Sequence, residues 1–131
     1  MASRDPKDLD PTLRPIYFEW DKRVKAAGHN VVEICTWRSP DEQAKLAKSG
    51  ASQRIHGPHN YVDAAGNPAS RAFDFMLVVN GKPCWSTIID ADHDGYPDYE
   101  ECGKIGEDLG LEWGGRWPHL RDCDHLQLKG A

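Results

Sequence analysis

An α+β fold, one small domain with an antiparallel sheet and packed helices, is what this sequence predicts, on three observations. Apolar residues recur at helical spacing near the N-terminus, short β-branched and aromatic runs follow further along, and one such run ends at Asn80-Gly81, the dipeptide of a two-residue hairpin turn. Helices mixed with short antiparallel pairings favour α+β over a parallel α/β sheet. At 131 residues the chain is the size of one ordinary domain, so a single unit over 1–131 is expected.

From Asp10 to about Ala27, the positions Leu13, Ile16, Tyr17, Trp20 and Val24 place apolar groups on one helical face, and Gly28 closes the helix. Asn30-VVEICTW is a β-branched run read as a buried strand. Ser39-Pro40-Asp41-Glu42 then combines an N-cap serine, proline at the first helical position and glutamate three residues after the cap, which starts a second helix running to about Lys48. Residues 49 to 71, rich in Gly, Ser, Pro, Asn and His, read as a long loop of the kind that carries function. Ala72-FDFMLVV is the next strand, returned by Asn80-Gly81 into a strand near Pro83 to Trp85. A third helix spans Tyr99 to Leu109 and ends at Gly110, and His125-LQL forms a last strand.

A hydrophobic share of 39% against 28% charged residues describes a folded chain. MASRDPKDLD lacks the apolar core of a signal peptide, and no run reaches the roughly 18–20 residues of a membrane span. Synthesis in the cytoplasm, with any action outside it requiring release, is therefore expected. No basic block points to nucleic acid. Cys35, Cys84, Cys102 and Cys123 form no CxxC pair, which argues against a cysteine zinc cluster and for free thiols in a reducing compartment.

An open catalytic zinc site needs three protein ligands and a vacant fourth position. His59, Asp74 and His125 can supply them from a loop, a strand and a second strand. Asp74 stands out because a carboxylate inside the apolar run Ala72–Met76 is costly to desolvate unless paired or metal-bound, with an exposed strand face as the competing explanation. Asp122, three residues before His125, is placed to act as general base toward an attacking water and to return the proton to a leaving amine. His29, at a helix end, and His93 are read as solvated surface residues.

Residues 90–101, DADHDGYPDYEE, hold six acids and no Lys or Arg; the remainder of the chain carries 15 acidic and 16 basic residues, nearly balanced. The stretch fits the calcium-loop pattern D-x-D-x-D-G-x5-E at Asp90, Asp92, Asp94, Gly95 and Glu101, with the Tyr96 carbonyl and Asp98 at the intervening ligand positions. Alternate oxygens wrap a hard cation, glycine allows the sharp turn, and the last glutamate closes the site from a following helix. A solvated acidic turn is the competing reading.

Taken in order, Ser3-Arg4, Asp8-Leu9, Thr36-Trp37-Arg38-Ser39 with Gln43, Pro58-His59-Asn60, Ser70-Arg71-Ala72-Phe73-Asp74-Phe75, Gly110-Leu111-Glu112-Trp113-Gly114-Gly115 and Asp122-Cys123-Asp124-His125 cover nearly the whole chain. The series resembles the L-alanyl-D-glutamate peptidases of phage endolysins, within the zinc peptidase superfamily that includes VanY-type D-Ala-D-Ala carboxypeptidases. That resemblance implies a Hedgehog/DD-peptidase-like domain with its zinc at the sheet, and zinc ligands at His59, Asp74 and His125. It also implies a catalytic acid/base at Asp122 and a substrate- or oxyanion-holding guanidinium at Arg38. Bacterial peptidoglycan is the implied substrate, cleaved by a monomer that acts on the wall in the periplasm after release. Some peptidases of this type are similar in carrying a calcium loop, which would make activity calcium-dependent. The chain departs from the family pattern at Gly57, which replaces a serine, and in the insertion Tyr61 to Ala69, which leaves fourteen residues between His59 and Asp74. His56 is the alternative first ligand. A D-Ala-D-Ala carboxypeptidase or dipeptidase, and a non-catalytic calcium-binding wall module, are the competing functions.

Overall fold

The computed structural model describes residues 3–49, 57–86, 97–117 and 122–131. Its elements are α1 (Leu13–Ala26), β1 (Val31–Cys35), α2 (Pro40–Ser49), β2 (Ala72–Val79), β3 (Lys82–Cys84), α3 (Asp98–Asp108), β4 (Glu112–Trp113) and β5 (His125–Gln127). Every helix and strand expected from the sequence is present. The sequence reading did not anticipate the two-residue β4 or the 3-10 turns at Pro6–Asp8, Pro58–Asn60 and Gly114–Arg116.

The sheet runs in the order β1-β2-β5-β4, antiparallel throughout. β2 is its axis. One edge pairs with β1, and the other pairs with β5 over Ala72–Asp74 and with β3 over Leu77–Val79. Asn80 and Gly81, at φ 54° and 75°, make the tight turn that joins β2 to β3.

Alternation along β2 divides the sheet. Phe73, Phe75 and Leu77 are fully buried in the core, packed with Tyr17 and Trp20 of α1 and Tyr99 of α3. Trp20 touches both phenylalanines at ring-centroid distances of 5.0 and 4.9 Å, and its indole N–H donates to the Cys102 carbonyl at 2.9 Å, tying α1 to α3. α3 comes close to the sheet because Gly103 and Gly106 face it. A Cβ at Gly106 would stand 2.5 Å from Leu126 Cδ2, and one at Gly103 would enter the Trp113 ring. Glycine costs a helix up to about 1 kcal/mol per position, and here the close approach explains its use. The Tyr99 hydroxyl donates to the Cys84 carbonyl at 2.6 Å and accepts from the Leu77 N–H at 3.2 Å, so α3 is anchored in the β2–β3 hairpin.

The capping predicted for α2 is present, with the Glu42 N–H donating to Ser39 Oγ at 3.1 Å. α1 begins three residues later than the expected Asp10, because the Asp10 carboxylate and carbonyl instead accept from the N–H groups of Thr12, Leu13 and Arg14. The reading of His29 as a solvated residue is corrected. Gly28, at φ 93°, turns the chain so that the His29 ring is buried and its Nε2 lies 2.8 Å from Glu101 Oε2.

Candidate metal centre

Strand register builds the first half of the site. Asp74 of β2 is paired with His125 of β5 on one side and with Cys35 of β1 on the other, so the three form a row across the sheet. A bulge in β1 is what brings Cys35 into that row, since Glu33 pairs with Phe75 while Cys35 pairs with Asp74.

His59 reaches the row from outside the sheet, on the 3-10 turn Pro58–Asn60. Pro58 presets the backbone of that turn, and neighbouring segments fix it. The Arg38 N–H donates to the His59 carbonyl and the Arg71 N–H to the Pro58 carbonyl, each at 2.9 Å. The Asn60 side chain bridges the Gly57 N–H and the Arg38 carbonyl. The insertion after Tyr61 closes on itself. Ala69 N–H donates to Tyr61 O, Asp63 N–H donates to Asn67 O, and the Asp63 carboxylate accepts from the N–H groups of Ala65 and Asn67. The extra residues therefore form a separate turn, and His59 Nε2 still stands 3.3 Å from Asp74 Oδ2.

His59 Nδ1 lies 2.8 Å from the Thr36 carbonyl, which makes it an N–H donor and turns Nε2 toward Asp74. That Nε2 is buried and makes no hydrogen bond among the described residues. On the opposite side, His125 Nδ1 is 2.8 Å from Asp74 Oδ1 and 4.0 Å from Asp122 Oδ2. The two imidazoles meet edge to face with centroids 5.2 Å apart, and Trp117 packs against His125 at the same distance. Burial alone would raise Asp74, but the charge of the adjoining His59 and the hydrogen bond from His125 hold its carboxyl well below the usual range. Burial would likewise lower His59, and the adjoining Asp74 carboxylate outweighs it and pushes His59 upward.

An orphaned buried imidazole nitrogen, a second imidazole and a shared carboxylate are a donor set suited to zinc. The atoms of Asp74, Asp122 and His125 lie within 4.8 Å of one another, as do those of Cys35, His59 and Asp74. Asp74 is common to both groups: it links the two expected histidine ligands, and the expected base stands beside His125. Asp122, the expected base, remains substantially open to solvent. Burial, a hydrogen bond with Asp122 and the Asp74 and Asp122 charges push the neighbouring Asp124 up to about 9.

Arg38 stands beside the centre. Its Nη1 donates to Gln43 Oε1 at 2.8 Å and its Nη2 to Cys35 Sγ at 3.6 Å, and that sulfur is itself 3.6 Å from His59 Nδ1. Of the expected calcium ligands, Asp90, Asp92, Asp94 and Tyr96 lie outside the described residues, as does His56. Asp98 and Glu101 are described; they occupy the first turn of α3, next to His29. Sequence reasoning missed Cys35, Asp124 and Gln127. Strand alternation from His125 would have placed Gln127 on the site face, since its Oε1 lies 2.8 Å from His125 Nε2.

Residues 68–128 match the family model described as D-alanyl-D-alanine carboxypeptidase. The chain is 30% identical over 133 residues to the peptidoglycan L-alanyl-D-glutamate endopeptidase CwlK of Bacillus subtilis, covering 94% of this chain and 75% of that protein. Its fold is similar to the crystal structure of the L-Ala D-Glu endopeptidase ChiX of Serratia marcescens, with a TM-score of 0.68 at 20% identity over 98% of this chain and 88% of the other. It is also similar to the vancomycin-resistance D,D-dipeptidase VanXYg, with a TM-score of 0.51 at 14% identity over 92% of this chain and 50% of that one.

Proposed function

Because the chain belongs to the VanY-like zinc peptidase superfamily, with an L-alanyl-D-glutamate endopeptidase as its relative, we propose that it hydrolyses the L-Ala–D-Glu bond of the peptidoglycan wall peptide. Family membership makes it a peptidoglycan hydrolase of the zinc type; the bond cleaved and the residues' roles are the proposal. One observation carries it: His59 Nε2, Asp74 and His125 Nδ1, from three distant segments, converge with Asp122 4.0 Å from His125.

His59, Asp74 and His125 would hold the metal, whose Lewis acidity polarises the scissile carbonyl and acidifies water toward neutral pH. Asp122 takes the proton from the attacking water and delivers it to the leaving amine. The neighbouring Asp124 carboxyl, hydrogen-bonded to Asp122, would orient it. Arg38, held by Gln43 and Cys35, offers its remaining N–H groups to a substrate carboxylate or to the negative charge that develops on the carbonyl oxygen. The spacing of residues 90–101 supports a calcium site that modulates activity, closed by Glu101 at the start of α3. The motif order supports a phage lysin that meets its substrate once released to the wall.

Metal analysis combined with mass spectrometry of digested peptidoglycan tests the reading. One zinc per chain and products carrying a new N-terminal D-Glu are expected. The match to the carboxypeptidase family model favours a second reading, loss of a terminal D-Ala, and that product would replace the first. A zinc content near zero would remove both.

A further inference from the structure

Behind His125, on the side away from Asp74, lies a polar chain that neither the family match nor the site described above accounts for. His125 Nε2 is 2.8 Å from Gln127 Oε1, Gln127 Nε2 is 3.4 Å from Glu112 Oε2, and Glu112 Oε1 accepts the Gly130 N–H at 3.1 Å. His125 and Gln127 are both buried. Strand geometry produces the chain: His125 and Gln127 are two apart on β5, hence on one face, and Glu112 of β4 is the cross-strand partner of Gln127.

We propose that Gln127 and Glu112 are positioning residues that fix which nitrogen of His125 is offered to the metal. The proposal rests on the reading of His125 as a ligand. An ionised carboxylate only accepts, so Glu112 obliges Gln127 to turn its amide nitrogen outward to it. The amide oxygen then faces the imidazole. An amide oxygen also only accepts, so Nε2 of His125 keeps a proton for it, and Nδ1, which donates to Asp74 Oδ1 in the absence of a metal, is the nitrogen that gives up its proton to take the cation. The opposite amide orientation would set the Gln127 oxygen against the Glu112 carboxylate and leave a buried N–H facing the ring. Selection at Glu112 is thus passed through two hydrogen bonds to the metal side of the ring. His59 achieves the same result more simply, by giving its Nδ1 proton to the Thr36 carbonyl.

The test measures zinc affinity by chelator competition on folded, metal-stripped protein. Removing the acceptor with Gln127→Leu should weaken zinc binding by about 10–100-fold. Glu112→Gln, which leaves the amide direction unspecified, should weaken it by less. The double exchange Glu112→Gln with Gln127→Glu keeps an acceptor toward His125 and a donor behind it, and should recover most of the loss. In the zinc-loaded protein, ¹⁵N spectra should show His125 bound through Nδ1 with a protected Nε2–H. Wild-type affinity in Gln127→Leu, a double exchange no better than Glu112→Gln, or coordination through Nε2 would overturn the proposal. Should Gln127→Leu fail to fold, Glu112→Gln against the double exchange decides. His125→Ala is the separate control for the ligand reading: if it binds zinc as wild type does, that reading fails, whereas a loss there with no effect at Gln127 and Glu112 refutes only the positioning role.

Discussion

Gly114→Ala perturbs the proposed base without touching its side chain. The Gly114 carbonyl accepts the Asp122 N–H at 3.0 Å and the Trp117 N–H at 3.2 Å, so this residue seats the segment carrying Asp122. A Cβ at position 114 would stand 3.1 Å from Asp122 Cβ and 3.2 Å from its carbonyl carbon, and nearer still to the carbonyl oxygen, where ordinary contact begins at 3.4 Å. The obstacle is backbone, which cannot swing aside as a side-chain tip can. Relief requires Asp122 to withdraw by about 1 Å, and a misplacement of that size costs a reaction on the order of 10²-fold, or about 2.7 kcal/mol of barrier. Overpacking should also cost about 1–3 kcal/mol of stability. The assay is turnover of purified peptidoglycan at saturating substrate, with zinc content and melting temperature measured on the same samples. Zinc should be largely retained, because the nearest atoms a Cβ would meet all belong to Asp122, and kcat should fall while KM changes little. Wild-type turnover in a zinc-replete, folded Gly114→Ala protein would refute a role for Gly114 in placing the base.

Asp122→Ala should keep zinc and lose about 10²–10⁴-fold in turnover, the usual worth of a positioned acid/base; unchanged cleavage would dismiss Asp122 from the reaction. A calcium-selective chelator that leaves zinc bound should lower activity, and equal rates with and without it would remove calcium from the account. Glu33 gives a stability test. Burial, then the Asp74 charge, pushes its carboxyl well above 4.5. An acid raised on folding contributes fully below its unfolded value and loses that contribution as pH rises toward its folded value. Glu33→Gln should therefore match wild type in melting temperature near pH 4 and exceed it increasingly above about pH 5. A difference constant over pH 4–8 would contradict this.

Much of the architecture was legible because local chemistry and tertiary packing agree. The 3.6-residue spacing of Leu13, Tyr17, Trp20 and Val24 is the buried face of α1, and Ser39-Pro40 and Asn80-Gly81 put α2 and the hairpin where their backbone preferences require. Asp74 was legible through its cost, a carboxylate amid Phe73 and Phe75. What escaped depends on pairing across the sheet. Nothing local shows that Glu33 and Cys35 part company at a bulge, or that β5 sets Gln127 beside Glu112. His29 escaped for the same reason: its partners lie on a helix that begins some seventy residues later, and the sequence shows only a histidine after a glycine.

The Tyr99 hydroxyl occupies the place where the Leu77 N–H and the Cys84 carbonyl, facing each other in the β2–β3 register, would otherwise meet. One phenolic oxygen thereby makes a rung of the hairpin depend on the seating of a helix. Lifting the first turn of α3 off the sheet would expose that single amide to water, in the strand that also carries Asp74. Its hydrogen-exchange rate is a gauge, read at one backbone position, of how often the stretch following the acidic segment lets go of the strand beneath the proposed metal centre.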